Sequence, residues 1–317
     1  MLYPLKFYPI YKEKIWGGSK IKKLKNDPNV PNNCGESWEI SGLEDNVSII
    51  SNGFLKDNSL EEIIEIYMED IVGEKVFEKY GIYFPILFKI IESNDNLSLQ
   101  VHPDDKTAME RYGENGKNEA WYILEAEACA TLTSGFKKDV NFDILQKAIE
   151  NQNLEDILNI VNVKPGEVYH IPAGRIHSLG KGVLLAEVQQ SSDRTYRVYD
   201  YGRTGRELHI EDAKDVIDYK KTTNIKTEYT IATDNSTKIL DTDSFKLNYL
   251  SVFNKIQKDY YSLDSFVILY CIKGSLGIQS KSTITQLKAG ETVLIPAALN
   301  SVTLLPDTYT ELLEIYL

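Results

Sequence analysis

Most of the chain alternates short apolar stretches with turn signals, a pattern that predicts β-strands. Stretches rich in Val, Ile, Leu and Tyr recur between clusters of Gly, Asn, Ser and Pro; examples are WEISG, YFPILFKII, AWYILEA, VLLAEVQQ and FVILYCIKG. β-Branched and aromatic side chains pack well on a pleated surface, and the chain contains 20 tyrosines. We therefore predict a mainly β protein.

Helical spacing replaces this alternation in two segments, near 59–80 and 141–160. In the first, Ser59 and Glu62 have the form of a capping box at the start of LEEIIEIYMEDIV. In the second, VNFDILQKAIENQNLEDILNIV carries apolar residues three and four positions apart. We expect a helix that opens at Ser59 in the first segment and one or two helices in the second, packed against the β structure.

An internal repeat indicates two similar β units. The segment VKPGEVYHIPAGRIHSL, which begins at Val163, aligns without a gap with LKAGETVLIPAALNSVTL, which begins at Leu287. Both copies have the pattern of a turn, a strand and a proline-containing turn, which favours two β-barrels of the double-sheet type. The polar stretch 218–236 is the expected junction, so we divide the chain into domains 1–218 and 219–317.

Composition and charge disfavour several classes of protein. A net charge of -12 disfavours nucleic acid binding, and an anionic ligand would need a local basic pocket. We expect neither a membrane span nor a signal peptide, because no apolar run is long enough and lysines interrupt the first one. The three cysteines lack paired spacing, which is typical of free thiols. These features predict a cytoplasmic protein.

Four side chains from three segments form a candidate metal site. They are Gln100 and His102 in LSLQVHPDD, Glu119 in GKNEAWYIL and His177 in IPAGRIHSLG. Gln100 and His102 lie two residues apart in a predicted strand, so both face one side and can hold one ion. Amide, carboxylate and imidazole ligands suit a divalent transition metal such as zinc. The competing interpretation of each histidine is a hydrogen-bonded structural residue at a strand end.

The second copy of the repeat lacks these candidate ligands. In the ungapped alignment His177 corresponds to Ser301, and Glu119 falls near Val267. We therefore expect metal binding in the first β unit alone.

These motifs, together with the run EVQQSSDRTYRVYDYGR, make the chain resemble the type I phosphomannose isomerases in their shorter bacterial form, which are cupins. The resemblance runs essentially end to end. It implies two cupin-type jelly-roll barrels, with a few helices packed against the first, and a catalytic domain in the N-terminal part. It also implies that Gln100, His102, Glu119 and His177 bind one zinc ion per chain.

The resemblance further implies a reaction and the residues that carry it. The reaction is the interconversion of mannose 6-phosphate and fructose 6-phosphate, by proton transfer between C1 and C2 through an enediol. Arg197, Glu187 and Lys117 correspond to catalytic residues of the family, with Glu187 and Lys117 as candidate proton carriers. Ser98, Lys117 and Arg197 are the candidate substrate-binding residues.

Several alternatives stay open. Arg197 and its neighbouring arginines can also form surface pairs with aspartates such as Asp200, and we expect His209 on the surface. Trp16 and Trp38 are either core residues or walls of a sugar site. The alternative functions are a sugar-phosphate-binding regulator without turnover and a different metal-dependent cupin enzyme. As partners we expect a small-molecule sugar phosphate, no nucleic acid and no membrane, and the protein is a monomer or homodimer.

Overall fold

The computed structural model of the chain describes residues 2–281 and 283–317, and its strands form four antiparallel sheets. The first barrel combines a six-stranded sheet with a five-stranded sheet. The strand order of the six-stranded sheet is β1 (Ile10–Gly18), β2 (Cys34–Ile40), β3 (Ile86–Ser93), β10 (Val183–Gln190), β5 (Glu119–Ala126) and β8 (Val168–Ile171). The strand order of the five-stranded sheet is β11 (Tyr196–Tyr199), β4 (Leu99–Val101), β9 (His177–Leu179), β6 (Thr131–Phe136) and β7 (Leu158–Asn162). The second barrel combines a five-stranded sheet, in the order β12 (Ser236–Asp241), β13 (Lys246–Val252), β20 (Thr310–Tyr316), β15 (Val267–Lys273) and β18 (Thr292–Ile295), with a four-stranded sheet, in the order β14 (Ile256–Asp259), β19 (Ser301–Pro306), β16 (Ser275–Ser280) and β17 (Thr283–Lys288). The prediction of a mainly β protein with two barrels is confirmed.

Short helices complete the fold. They are α1 (Lys20–Lys25), α2 (Leu60–Tyr67), α3 (Glu69–Val72), α4 (Glu74–Tyr80), α5 (Asp105–Tyr112), α6 (Phe142–Glu150) and α7 (Ile210–Val216), with 3-10 turns at Glu44–Asn46 and Leu154–Asp156. The predicted capping box begins α2: the Glu62 amide donates to the Ser59 hydroxyl, and the Ser59 amide donates to the Glu62 carboxylate. The helices at 60–80 also contact the second barrel, because the Phe266 amide donates to the Val72 carbonyl.

The second predicted helical segment is helical only in its first half. Helix α6 ends at Glu150, and Leu158–Asn162 is the strand β7, which pairs with β6. Gln152 adopts a positive φ of 54°, which ends the helical run. The apolar residues that follow fit a strand as well as a helix, and ladder hydrogen bonds to β6 decide between them. The extension of helix to 160 was therefore wrong.

The large sheets of the two barrels pack back to back, which explains why their central strands are apolar on both faces. In β10, Leu184 and Ala186 join the core between the barrels, whereas Val183 and Leu185 join the core inside the first barrel. Alternate residues of a strand face opposite sides of the sheet. Glu187 therefore faces the interior of the first barrel.

The two barrels share this intervening core. The rings of Phe84 and Phe266 have centroids 4.5 Å apart, and those of Phe88 and Tyr270 are 5.4 Å apart. The connecting segment 219–235 runs along the first barrel before β12 begins, and the Thr227 amide donates to the Val168 carbonyl. Folding of each barrel therefore buries the outer face of the other.

The internal repeat forms equivalent strands. β8 is the edge partner of β5 in the first barrel, and β18 is the edge partner of β15 in the second. The turns before these strands use Gly166 and Gly290 at positive φ of 85° and 81°, a conformation that favours glycine. Glu119 lies opposite Ile171, and Val267 lies opposite Ile295, so the alignment of Glu119 with Val267 is confirmed.

After the Pro-Ala turn, the two copies differ by one residue. His177 is buried inside the first barrel, whereas Ser301 is exposed and Val302 belongs to the core of the second barrel. A shift of one residue turns every side chain of a strand to the opposite face. The ungapped pairing of His177 with Ser301 was therefore wrong in space, and Val302 takes the inward position.

Candidate metal centre and active site

A cavity of about 460 Å³ lies inside the first barrel, and residues of both of its sheets line it. Lys89 and Glu187 reach it from the six-stranded sheet, while Gln100 and Arg197 reach it from the five-stranded sheet. Its volume falls in the range of about 300–1,000 Å³ that is usual for small-molecule sites. The arrangement converts a barrel interior into a binding site.

Three of the four predicted metal ligands converge on one point of this interior. The nitrogen and oxygen ligand atoms of His102, Glu119 and His177 all lie within 4.8 Å of one another, and all three residues are buried. Nε2 of His102 is 3.3 Å from Oε1 of Glu119, and Nε2 of His177 is 3.6 Å from Oε2. The strands β5 and β9 bring these residues together from opposite sheets.

Both imidazoles are oriented for coordination through Nε2. Nδ1 of His102 donates to the Arg194 carbonyl at 2.9 Å, and Nδ1 of His177 donates to the Arg175 carbonyl at 2.8 Å. Such bonds fix the tautomer and leave the Nε2 lone pair free for a metal. Both Nε2 atoms and Oε2 of Glu119 are buried without a hydrogen-bond partner. Buried polar atoms are normally satisfied, so this donor set fits a metal ion.

The protonation states of the three side chains also suit a metal. Burial lowers the pKa of His102 to about 3, with a further contribution from the Lys117 ammonium, and burial lowers the pKa of His177. Burial alone would raise the pKa of Glu119, but Lys117 and the two imidazoles hold it well below its ordinary value. At neutral pH the imidazoles are therefore neutral and the carboxylate is ionised, as coordination requires.

Gln100 lies beside this group. It is directly opposite His177 in the pairing of β4 with β9, and directly opposite Arg197 in the pairing of β4 with β11. Residues that oppose each other in an antiparallel pair share a face of the sheet. Arg197, Gln100 and His177 therefore form one row across the five-stranded sheet, and Arg197 and Gln100 of this row line the cavity.

Glu187 forms a second buried group next to the metal ligands. Its Oε1 is 2.9 Å from Nζ of Lys89, and its Oε2 accepts a hydrogen bond of 2.6 Å from Nε1 of Trp121. Burial and the Glu119 charge raise the pKa of Glu187, while Lys89 opposes them. Burial alone would lower the pKa of Lys89, but the carboxylates of Glu187 and Glu36 raise it overall. The result is a carboxyl group whose proton affinity is increased beside a charged ammonium.

Lys117 and Ser98 are also buried and line the cavity. Nζ of Lys117 is 3.1 Å from Oε1 of Glu119, so this lysine is no solvated loop residue. Nothing in the apolar pattern of the sequence distinguishes it from one.

Lys89 and Glu36 are among the charged cavity residues that sequence reasoning missed. A signal was present, because each interrupts an otherwise buried strand, in LFKII and in GESWEI respectively. Glu36 accepts a hydrogen bond of 2.7 Å from Nε1 of Trp38. Trp38 and Trp16 both line the cavity, as one of their two interpretations predicted.

The surface-pair interpretation of Arg197 was wrong. Arg197 lines the cavity, donates from Nη1 to the Glu207 carbonyl at 2.7 Å and forms no ion pair within 2–281 and 283–317. Arg203 does pair with Asp200, at 2.8 Å. His209 lines the cavity instead of the surface, because two hydrogen bonds attach it to the backbone of Arg197.

Comparison with known proteins shows the family of the chain. The model of the type I phosphomannose isomerase catalytic domain matches residues 4–141. A mannose-6-phosphate isomerase of Bacillus subtilis is 32% identical over 306 residues, which cover 93% of this chain and 94% of that protein. The chain belongs to the type I phosphomannose isomerase family.

Further relatives of this family support the assignment. A mannose-6-phosphate isomerase of Streptococcus mutans is 37% identical over 217 residues, 67% of each chain. The crystal structure of the Bacillus subtilis mannose 6-phosphate isomerase superposes with a TM-score of 0.89 at 29% identity and covers 100% of both chains. The predicted family and fold are confirmed.

Among the helices that the structure describes, none is long and apolar enough to cross a membrane.

Proposed function

We propose that this chain interconverts mannose 6-phosphate and fructose 6-phosphate, with one zinc ion held by Gln100, His102, Glu119 and His177. The observation that carries the proposal is the convergence of two unpaired imidazole nitrogens and a carboxylate, Glu119, that lines a cavity of sugar-phosphate size. Relatives that align over more than nine-tenths of the chain bear the same activity in their names.

The choice of zinc follows from the chemistry of the donor set. Zinc accepts imidazole nitrogens and carboxylate and amide oxygens as ligands. Structural zinc sites are closed and usually contain thiolates, whereas catalytic zinc sites leave one position open for substrate. When bound, the ion would polarise the oxygens on C1 and C2 of the sugar as a Lewis acid.

The remaining chemistry is a proton transfer from one carbon to its neighbour. It needs a residue that accepts the proton from the first carbon and returns it to the second. The C2–H bond of the open-chain aldose breaks and a C1–H bond forms, while a second proton moves between O1 and O2. Glu187 is our candidate carrier of the carbon-bound proton. Its raised pKa suits this role, because the carboxyl must both accept and return the proton. Lys89 and Trp121 hold the carboxyl in one orientation.

Charge develops on the sugar oxygens during this transfer, and buried donors next to the metal ligands can stabilise it. Lys117 is the candidate for this role and the second candidate proton carrier, because its ammonium lies against the ligand Glu119. We assign Ser98 and Arg197 to substrate binding, since both line the same cavity.

The proposal extends to the organisation of the chain. Residues 1–218 would form the catalytic domain of a cytoplasmic enzyme, and residues 219–317 a barrel without metal ligands. The inward residues Val267 and Val302 of that second barrel are apolar, which supports this division of labour.

The test combines elemental analysis with an activity assay on one sample. We expect about one zinc per chain, conversion of mannose 6-phosphate, loss of conversion after chelation and recovery with added zinc. Circular dichroism of the chelated sample controls for unfolding. Turnover by a metal-free preparation would contradict the metal site, and binding of the sugar phosphate without turnover would favour a regulator.

A further inference from the structure

A loop that follows β11 folds back against that strand and brings a further arginine to the cavity beside Arg194 and Arg197. The His209 amide donates to the Arg197 carbonyl at 2.8 Å, and the Arg197 amide donates to Nδ1 of His209 at 3.2 Å. The Arg197 side chain donates to the Glu207 carbonyl in the same loop. As a result Arg206, which is nine residues beyond Arg197 in sequence, lines the same cavity.

One buried carboxylate organises the loop. Asp200 is 3% exposed and accepts hydrogen bonds from two guanidinium groups. Nε of Arg206 donates to its Oδ2 at 2.9 Å and Nη2 of Arg206 to its Oδ1, while Nη2 of Arg203 donates to Oδ1 at 2.8 Å. Arg203 also pairs with Asp95 at 3.2 Å and is absent from the cavity lining. Asp200 therefore fixes the direction of Arg206 at the cavity wall.

Arg197 and Arg206 are incompletely neutralised, because Arg197 forms no ion pair among the described residues and the carboxylate that pairs with Arg206, Asp200, is shared with Arg203. Burial and the charge of Arg206 both lower the pKa of Arg197, because the two guanidinium groups are close. Nε of Arg197 is buried without a partner. Arg194 also lines the cavity but differs, because Glu114 accepts from its Nε and Nη2 and is shared with no second arginine among the described residues. Adjacent cations with free donors are satisfied by an anion with several acceptor oxygens.

The distance between Arg197 and the candidate metal ligands matches the length of an open-chain hexose phosphate. Arg197, Gln100 and His177 lie in register on three neighbouring strands. Strand spacing is about 4.8 Å, so the Arg197 backbone is roughly 10 Å from that of His177. An open-chain hexose 6-phosphate with C1 and C2 near the metal ligands extends its phosphate over a comparable distance.

We propose that Arg206, oriented by Asp200, is a phosphate-binding residue that acts together with Arg197, and that Asp200 is its positioning residue. The proposal rests on the proposed function for the identity of the substrate. Its core, recognition of a phosphate dianion, depends only on the arginine geometry.

The main experiment uses Arg206→Gln in the zinc-loaded full chain. We expect KM for mannose 6-phosphate to rise about tenfold or more, with kcat changed by less than about threefold, because a charged hydrogen bond is lost in ground state and transition state alike. Arg206→Lys, which keeps the charge without the planar fork, should give an intermediate KM. Asp200→Asn should raise KM in the same way, and the two arginine variants test the proposal if Asp200→Asn does not fold.

The matched control is Arg111→Gln. Arg111 also bridges two aspartates, Asp212 and Asp215, but does not line the cavity. KM and kcat of this variant should equal those of the unmodified protein.

Calorimetric titration with inorganic phosphate separates this proposal from the proposed function, because it needs no turnover. We expect phosphate binding that weakens about tenfold in Arg206→Gln and is unchanged in Arg111→Gln. If the unmodified protein lacks isomerase activity but shows this difference, the phosphate site stands and the assigned reaction is wrong. A KM and a phosphate affinity of Arg206→Gln within about twofold of the unmodified protein would overturn the proposal.

Discussion

Apart from the additional edge strands β1 and β11 of the first barrel, the two barrels have the same strand order, and each buries a glutamate at the same place in its large sheet. Glu187 of β10 lies opposite Trp121 of β5, and Glu314 of β20 lies opposite Leu269 of β15. Glu119 and Val267 occupy equivalent positions in the two barrels. Trp121 and Leu269 each come two residues later in the same strand, so they are equivalent as well. Sequence comparison of the repeat did not reveal this pair of glutamates, since they lie outside the aligned segments.

The difference lies in how many partners the chain itself offers each carboxylate. Glu314 accepts hydrogen bonds from Ser236 at 2.7 Å, Tyr260 at 2.9 Å and Asn248 at 3.0 Å, and it forms an ion pair of 2.8 Å with Lys258. Such a group is fully satisfied within the fold. It has no remaining capacity for a ligand.

The row of residues beside each glutamate differs in the same sense. Gln100 lies opposite His177 in the first barrel, and Lys258 lies opposite the inward Val302 in the second. Lys258 sends its ammonium to Glu314, where the first barrel has ligand atoms without partners. The same scaffold thus holds a satisfied ion pair in the second barrel and a candidate site with unpartnered polar atoms in the first.

Replacement of His177 by valine, which is the residue at the equivalent inward position 302 of the second barrel, should have the largest effect. We expect His177→Val to lose its metal and to lower kcat/KM by about three orders of magnitude or more, because the Lewis acid is lost. The matched variant Ser301→Ala changes an exposed residue of the second barrel and should keep both metal and activity. Metal content by elemental analysis, measured beside activity, checks the result. Unchanged zinc in His177→Val would remove this histidine from the ligand set.

The two glutamates should respond oppositely to the same conservative change. Glu187→Gln should lower kcat about 10²- to 10⁴-fold and keep the metal, because general acid–base catalysis is lost. Glu314→Gln should keep kcat but destabilise the fold by about 1–3 kcal/mol, because Lys258 loses its buried counter-charge. Kinetics and thermal unfolding of both variants give this cross-comparison. A large loss of kcat in Glu314→Gln without unfolding would contradict the structural assignment of that residue.

A smaller contrast is expected in the pH dependence of stability. Burial alone would raise the pKa of Glu314, but Lys258 and hydrogen bonds lower it below 4.5. A lowered pKa in the folded state contributes stability above the unfolded pKa, and this stability is lost as the pH falls through the folded value. The difference in Tm between the unmodified protein and Glu314→Gln should therefore be constant near pH 7 and shrink below about pH 4.5. A difference that grows on acidification would contradict the lowered pKa.

The sequence allowed prediction of the fold class and of the candidate metal site to different depths. The capping box at Ser59 and the alternating strands depend on neighbouring residues, and such local patterns can be read directly. The ligand types of His102, Glu119 and His177 made them a candidate set, but their binding of one ion was implied by the family resemblance, because their segments are far apart in the chain. Lys89 was missed, since one charge in an apolar strand does not identify its partner.

By itself, the sequence determined the β-rich character, the two repeated units and the chemical types of the candidate ligands, because these follow from composition and short-range period. Only the tertiary structure decided that β7 is a strand, that Val302 instead of Ser301 faces inward, and that His209 and Arg206 reach the cavity. Each of these outcomes depends on register and loop closure between distant segments. Their free energy comes from pairing and burial that no local stretch contains.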